Sequence, residues 1–206
     1  MNFFIINAGC RHFGQGGTLS KTFVETARET LEGFGHEVVV TNLDDGWVIE
    51  DEVKKILAAD VVIVQSPGWW MSPPWQFKKY EDEVFVQPGI SAGDGRSRHD
   101  PTKRYGTGGQ LKNKRYLLSS TWNAPLEAFT DQDQFFEGRG IDGVWMPVHK
   151  TFEFIGMQRL PSFMTPCPSC PSPPGSFIPV PLKSIVTTQE TKSLPRLGTI
   201  IPVPSA

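Results

Sequence analysis

The chain has 206 residues, enough for one domain with a substantial core, and 20 basic against 22 acidic side chains give a formal net charge of -2. That balance provides no field to draw nucleic acid or another polyanion. The apolar runs, such as Phe3 to Ile6 and Val61 to Val64, fall far short of the roughly 18 residues of a membrane span, and no basic-flanked apolar leader follows Met1. Three cysteines make no disulfide framework and fit a reducing, cytosolic setting.

In chain order, Phe3-Phe4-Ile5-Ile6 predicts a strand covered on both faces. Leu19, Phe23, Ala27, Leu31 and Phe34 then recur at spacings of four or three, a helix that Gly35 stops. Val38 to Val40 predicts a second strand. Val53, Ile56 and Leu57 mark a short second helix, and Asp60 to Gln65 a third strand. This alternation is the signature of a doubly wound parallel α/β sheet with right-handed crossovers. A fourth strand is expected over Tyr116 to Ser120, and a fifth over either Val144–Met146 or Phe152–Ile155. Residues 87–114, with six glycines and six basic residues, form a long connection of the kind that is functional or disordered. Thr130 with Asp131, Asp133 and Glu137 fits a helix N-cap and an acidic first turn. Ten of the 18 prolines fall in residues 165–206. That stretch reads as a disordered tail after a domain of residues 1–164.

An open parallel sheet binds ligands beyond the carboxyl ends of its strands, at the switch point in strand order. Three loops should meet there. The first, Asn7 to Thr18, is glycine-rich and precedes a helix, so it predicts either a phosphate cradle or an ordinary turn. Lys21-Thr22 resembles the end of a nucleotide-triphosphate loop, but the required glycines are Ser20 and Gln15, and that match fails. The second, Pro67 to Trp75, crowds three of six tryptophans into seven residues, which suits a planar ligand or a packing surface. The third, Thr121-Trp122-Asn123-Ala124-Pro125, sets polar groups beside an aromatic wall. His12, His36, His99 and His149 have no companions at metal-ligand spacing, so no metal site is expected. Cys167 and Cys170 match a redox spacing without the helix N-terminus that would activate a thiol.

At these loops the chain closely resembles the modulator of drug activity B family, quinone reductases of the flavodoxin-like superfamily. The resemblance rests on Pro67-Gly-Trp-Trp-Met71, Trp75 with Lys78-Lys79-Tyr80, Asp94-Gly-Arg96, Tyr105-Gly-Thr-Gly-Gly109 and Thr121-Trp-Asn-Ala-Pro125. Glu127-Ala-Phe-Thr130, Asp133-Gln-Phe-Phe136, Asp142-Gly143 and His149-Lys150 extend it over about residues 3–164. It implies a flavodoxin-like fold, an FAD cofactor, NADPH or NADH as hydride donor, a quinone substrate and a homodimer. Carried over by position, it implies FAD contacts from Gln15, Gly16, Gly17, Thr18, Leu19, Ser20, Lys21 and Thr22. Gly68, Trp69, Trp70, Met71, Tyr105, Thr121, Trp122, Asn123 and Ala124 complete the set. The chemistry would be centred on the flavin, with Tyr105 as a candidate polarising group. Members of that family end in a polar segment and a helix, and residues 165–206 depart from that pattern. A flavodoxin-like electron carrier and a catalytically silent flavin-binding or interaction protein are the alternatives.

Overall fold

The computed structural model describes residues 1–12 and 16–166. Four predicted strands form: β1 (Asn2–Asn7), β2 (Glu37–Asn42), β3 (Val61–Pro67) and β4 (Arg115–Thr121). All are parallel, in the order β2-β1-β3-β4. The chain therefore reverses its winding direction between β1 and β3, and the flavodoxin-like α/β class is confirmed.

The fifth strand is a correction. Val144 to Met146 and Phe152 to Ile155 lie in or beside the helices α5 (Gly140–Val144) and α6 (Met146–Phe154). Val148, Phe152 and Ile155 are buried at spacings of four and three, so the period is helical. The place beside β4 is shared by β5 (Gln158–Arg159) and β6 (Phe163–Thr165). Pro161, which has no N–H for a ladder, lies in the break between them. The helix expected to start at Thr130 is also corrected. The short α4 (Glu127–Thr130) ends there, and the Asp131 carboxylate accepts from the Asp133 amide in a turn. Of the stretch 165–206, Thr165 ends β6, and residues 167–206, with Cys167 and Cys170, lie outside the described residues.

Helix α1 (Thr18–Gly33) covers one face of the sheet, and Gly35 follows it with φ 79°. Its buried residues are Ser20, Val24 and Leu31: Leu31 is where it was expected, while Ser20 and Val24 take the places of Leu19 and Phe23, with Leu19 left 49% exposed. The cause is local: a Cβ on Gly9 would stand 2.3 Å from Ser20 Cβ, so the loop backbone rests on Ser20. Val24 and Leu31 pack on Phe3, Ile5, Val61, Ile63 and Leu117. The opposite face carries α2 (Ile49–Ala58), α3 (Trp75–Val84) and α6 over Phe4, Ile6, Val62, Val64 and Leu118. The 87–114 connection is pinned rather than loose. Ile90 and Leu111 are buried, and a Cβ on Gly109 would stand 2.2 Å from the backbone carbon of Ile155.

One ionisable group lies deep in this second layer. Glu52 on α2 is 1% exposed and accepts from Thr41 Oγ1 at 2.9 Å, Lys55 Nζ at 2.5 Å and Tyr80 OH at 2.9 Å. β2, α2 and α3 thus share one carboxylate. A buried charge is tolerated only when so satisfied. Tyr80→Phe removes one donor and is expected to cost about 1–3 kcal/mol of stability, read from chemical denaturation.

Candidate functional site

The three loops leave neighbouring strand ends. Asn7 pairs with Gln65 and Pro67 with Thr121 across the ladders. The Ala8 amide donates to the Gln65 carbonyl and the Gly68 amide to the Thr121 carbonyl, each at 2.8 Å. The sheet therefore brings Gly16 to Thr22, Gly68 to Met71 and Thr121 to Ala124 to one edge, while Gln15 lies outside the described residues.

The first loop is fastened at its start. The Asn7 amide donates to Asn42 Oδ1 at 3.0 Å, and Asn7 Oδ1 accepts from the Gly9 amide at 3.0 Å. Arg11 Nε donates to Asp44 Oδ2 at 2.8 Å, and this hydrogen bond holds the Asp44 carboxyl below the usual carboxylate range. Gly17, at φ 79°, is the N-cap of α1 and offers no side chain, and no acidic residue stands in the first turn. Among the described residues no side chain caps the leading amides of this 16-residue helix, an arrangement suited to an anion. Thr18, Leu19 and Lys21 are exposed there. Ser20 is buried beneath Gly9, and the Thr22 hydroxyl donates back to the Thr18 carbonyl at 3.1 Å.

In the second loop, Trp69 and Ser72 exchange backbone hydrogen bonds of 2.7 and 2.9 Å, leaving Trp70 and Met71 at the tip with φ 47° and 67°. Two successive positive φ values define a tight hairpin turn that ordinarily takes Asn-Gly. A left-handed non-glycine residue costs roughly 1–2 kcal/mol, so the tip is strained. Trp70 is 91% exposed, and its ring is carried outward by that strain. Beside it, Trp69 stacks on His12 with centroids 3.8 Å apart.

The third loop behaves differently. Trp122 is 8% exposed and packs edge-on to Phe129 and Phe136 and tilted against Trp145. A Cβ on Gly68 would meet its ring at 2.5 Å. Its ring is thus a wall for the second loop, and the exposed member of this loop is Asn123. Tyr105 stands apart from the three loops. Its ring lies near Phe154 at 5.5 Å and Arg96 at 5.6 Å, on a cavity between α3 and α6.

Sequence reasoning passed over several groups. On the α1 side of the edge, Ser119 Oγ donates to Gln65 Oε1 at 2.6 Å, which leaves Gln65 Nε2 buried without a partner among the described residues. Thr165 Oγ1, on β6, is likewise buried and unpaired. Polar residues closing an apolar strand (Val61 to Val64, then Gln65-Ser66) were the available signal. His149, discounted as a ligand, is buried, with Nδ1 2.8 Å from Tyr116 OH and Nε2 3.2 Å from Asp142. The Cys10 thiol is pushed up to about 11, mainly by burial, so it is no thiolate nucleophile.

Comparison with known proteins agrees with this architecture. The chain belongs to the family described as having the flavodoxin-like fold, which matches residues 1–166. Within it, the chain is a member of the modulator of drug activity B group. It is 46% identical over 167 residues to NADPH:quinone oxidoreductase MdaB of Haemophilus influenzae, covering 80% of this chain and 86% of that protein. An uncharacterized protein of Schizosaccharomyces pombe is 45% identical over 166 residues, covering 80% of this chain and 85% of that one. A solved structure from Klebsiella pneumoniae shares the fold at TM-score 0.68 and 21% identity, covering 84% of this chain and 78% of that one.

Replacing Trp70-Met71 by Asn-Gly relieves two strained residues. Stability without ligand is expected to rise by about 1–2 kcal/mol in denaturant titration. A fall in stability would show that the exposed ring supports the fold.

Proposed function

We propose that the protein is an FAD-dependent NAD(P)H–quinone oxidoreductase. The observation that carries this reading is the pairing, at one sheet edge, of the uncapped N-terminus of α1 with the strained turn presenting Trp70. Identity to a NADPH:quinone oxidoreductase over most of both chains supports it. The residues present fit a flavin nucleotide. Gly9 resting on Ser20 leaves a backbone cradle, and among the described residues the buried Gln65 amide and Thr165 hydroxyl have no partner, which a polyhydroxylated chain would supply.

In this reading the amides of Gly17 to Ser20 hold the phosphates, with Lys21 adding positive charge. Trp69, Trp70 and Met71 form the wall against the ring system, and Thr121 to Ala124 border its polar edge. A bound flavin supplies two-electron chemistry, taking a hydride from NADPH or NADH and passing it to a quinone. The protein's part is to orient, stack and exclude water, and no side chain need act as a nucleophile. The flavin-binding unit, expected over residues 1–164, extends in this reading through Thr165, which pairs with Thr121. The exposed apolar rim of Trp69, Trp70, Met71 and Trp75 supports a homodimer, because such a patch is normally covered.

Cofactor released by heat from the purified protein is expected to chromatograph as FAD, and NADPH oxidation is expected to depend on an added naphthoquinone. FMN alone, or a colourless protein after FAD reconstitution, overturns the cofactor assignment. Tight flavin without quinone-dependent turnover favours an electron carrier. Trp70→Ala should weaken flavin binding by about 1–3 kcal/mol, the scale of one lost stacking contact, measured by titration with the fold checked by circular dichroism.

A further inference from the structure

Arg11 fixes the described start of the first loop, and the residue after it reaches across to the second. The Arg11 backbone amide donates to Asp44 Oδ1 at 3.3 Å, and its Nε donates to Asp44 Oδ2 at 2.8 Å. Asp44 lies in a short 3-10 turn, Leu43–Asp45, that follows β2. Two bonds to one carboxylate set both the place and the direction of the chain at Arg11. His12 is therefore presented from an anchored backbone.

What His12 meets is the Trp69 indole, with ring centroids 3.8 Å apart and planes inclined by 24°. Among the described residues, no hydrogen bond joins residues 9–12 to residues 68–72, so a stack rather than a polar contact couples these two loops. The Trp69 backbone is already set by its exchange with Ser72 and by the Gly68 amide on the Thr121 carbonyl. Those bonds hold the main chain and leave the indole free to turn about its two side-chain torsions. The imidazole removes that freedom. A ring stacked at this distance covers one face of the indole and leaves the other open, and Trp69 remains 38% exposed. Neither ring belongs to the buried clusters on the two faces of the sheet, so the stack carries little of the fold.

We propose that His12 is a positioning residue for the flavin, backing the Trp69 indole from behind so that its other face stands as a fixed wall for the ring system. This rests on the flavin reading above and adds to it a residue that acts through Trp69. An indole left to swing would have to be ordered at the moment of binding, and that ordering would be subtracted from the affinity. With His12 in place the cost is met when the chain folds.

The test is FAD titration of the full-length apoprotein, comparing wild type with His12→Ala, His12→Phe, Trp69→Ala and the double variant. His12→Ala is expected to weaken FAD binding roughly three- to tenfold, the scale of ordering one side chain, with an unchanged midpoint in denaturant. His12→Phe keeps a stacking ring and should restore the affinity to within about twofold. In the Trp69→Ala background, His12→Ala should have no further effect, because the two residues act as one unit. Equal affinity in wild type and His12→Ala, or no recovery in His12→Phe, overturns the proposal. The same loss in both backgrounds also overturns it, since His12 would then act without Trp69. So does an affinity loss that tracks a lowered denaturation midpoint, which assigns the stack to the fold. Wild-type protein that binds no FAD rejects the flavin reading and this proposal together, whereas wild-type binding matched by His12→Ala rejects the role of His12 alone.

Discussion

The approach of Gly68 to Trp122 is the constraint on which the site depends. The Trp122 ring is held by Phe129, Phe136 and Trp145, so it cannot retreat. Only a residue without a side chain can pass over it, and the Gly68 amide is simultaneously bound to the Thr121 carbonyl. The β3 loop is thereby locked to β4 one residue before the strained turn begins. An unanchored turn of that kind would relax. Anchored, it presents Trp70 in one direction, which is how strain persists where the surroundings over-determine it.

The first loop shows the same economy by a different route. Its backbone rests on Ser20, its start is tied to Asn42 through Asn7, and Arg11 is tied to Asp44. Among the described residues, no side chain caps the row of amides opening α1. Both loops thus use several of their side chains to hold the backbone, and leave main-chain amides and the Trp70 ring exposed at the sheet edge. That division suits a protein whose chemistry resides in a cofactor.

Much of this was legible because a parallel sheet buries its strands on both faces. Phe3 to Ile6, Val61 to Val64 and Leu117-Leu118 could hardly be anything else, and the loops after them followed. The family was legible too, from the double tryptophan and the Thr121 to Pro125 run. The errors came where tertiary contact sets the phase. The first turns of α1 bury Ser20 and Val24 in place of Leu19 and Phe23, where Gly9 leans on Ser20, a contact between residues 11 apart in sequence. The last strand was missed because β5 and β6 are too short to carry a period and flank a proline. Trp122 and Tyr105 are flavin contacts that the resemblance implies by position, and the structure encloses the first ring and sets the second apart from the three loops. A sequence pattern does not reveal that Phe129 and Phe136 enclose the Trp122 ring or that Tyr105 lies toward Phe154.

The pairing of β6 with β4 bears on how the chain comes off the ribosome. The Trp122 amide donates to the carbonyl of Thr165, and Ser120 Oγ donates to that of Phe163. The first three strands and their helices can assemble as soon as they are made, since domains fold from the N-terminus during synthesis. The third loop cannot: the backbone that shapes it waits for residues more than forty positions downstream. A growing chain therefore holds an incomplete sheet edge until synthesis has passed Thr165, and the third loop takes its final shape well after β4 itself has been made.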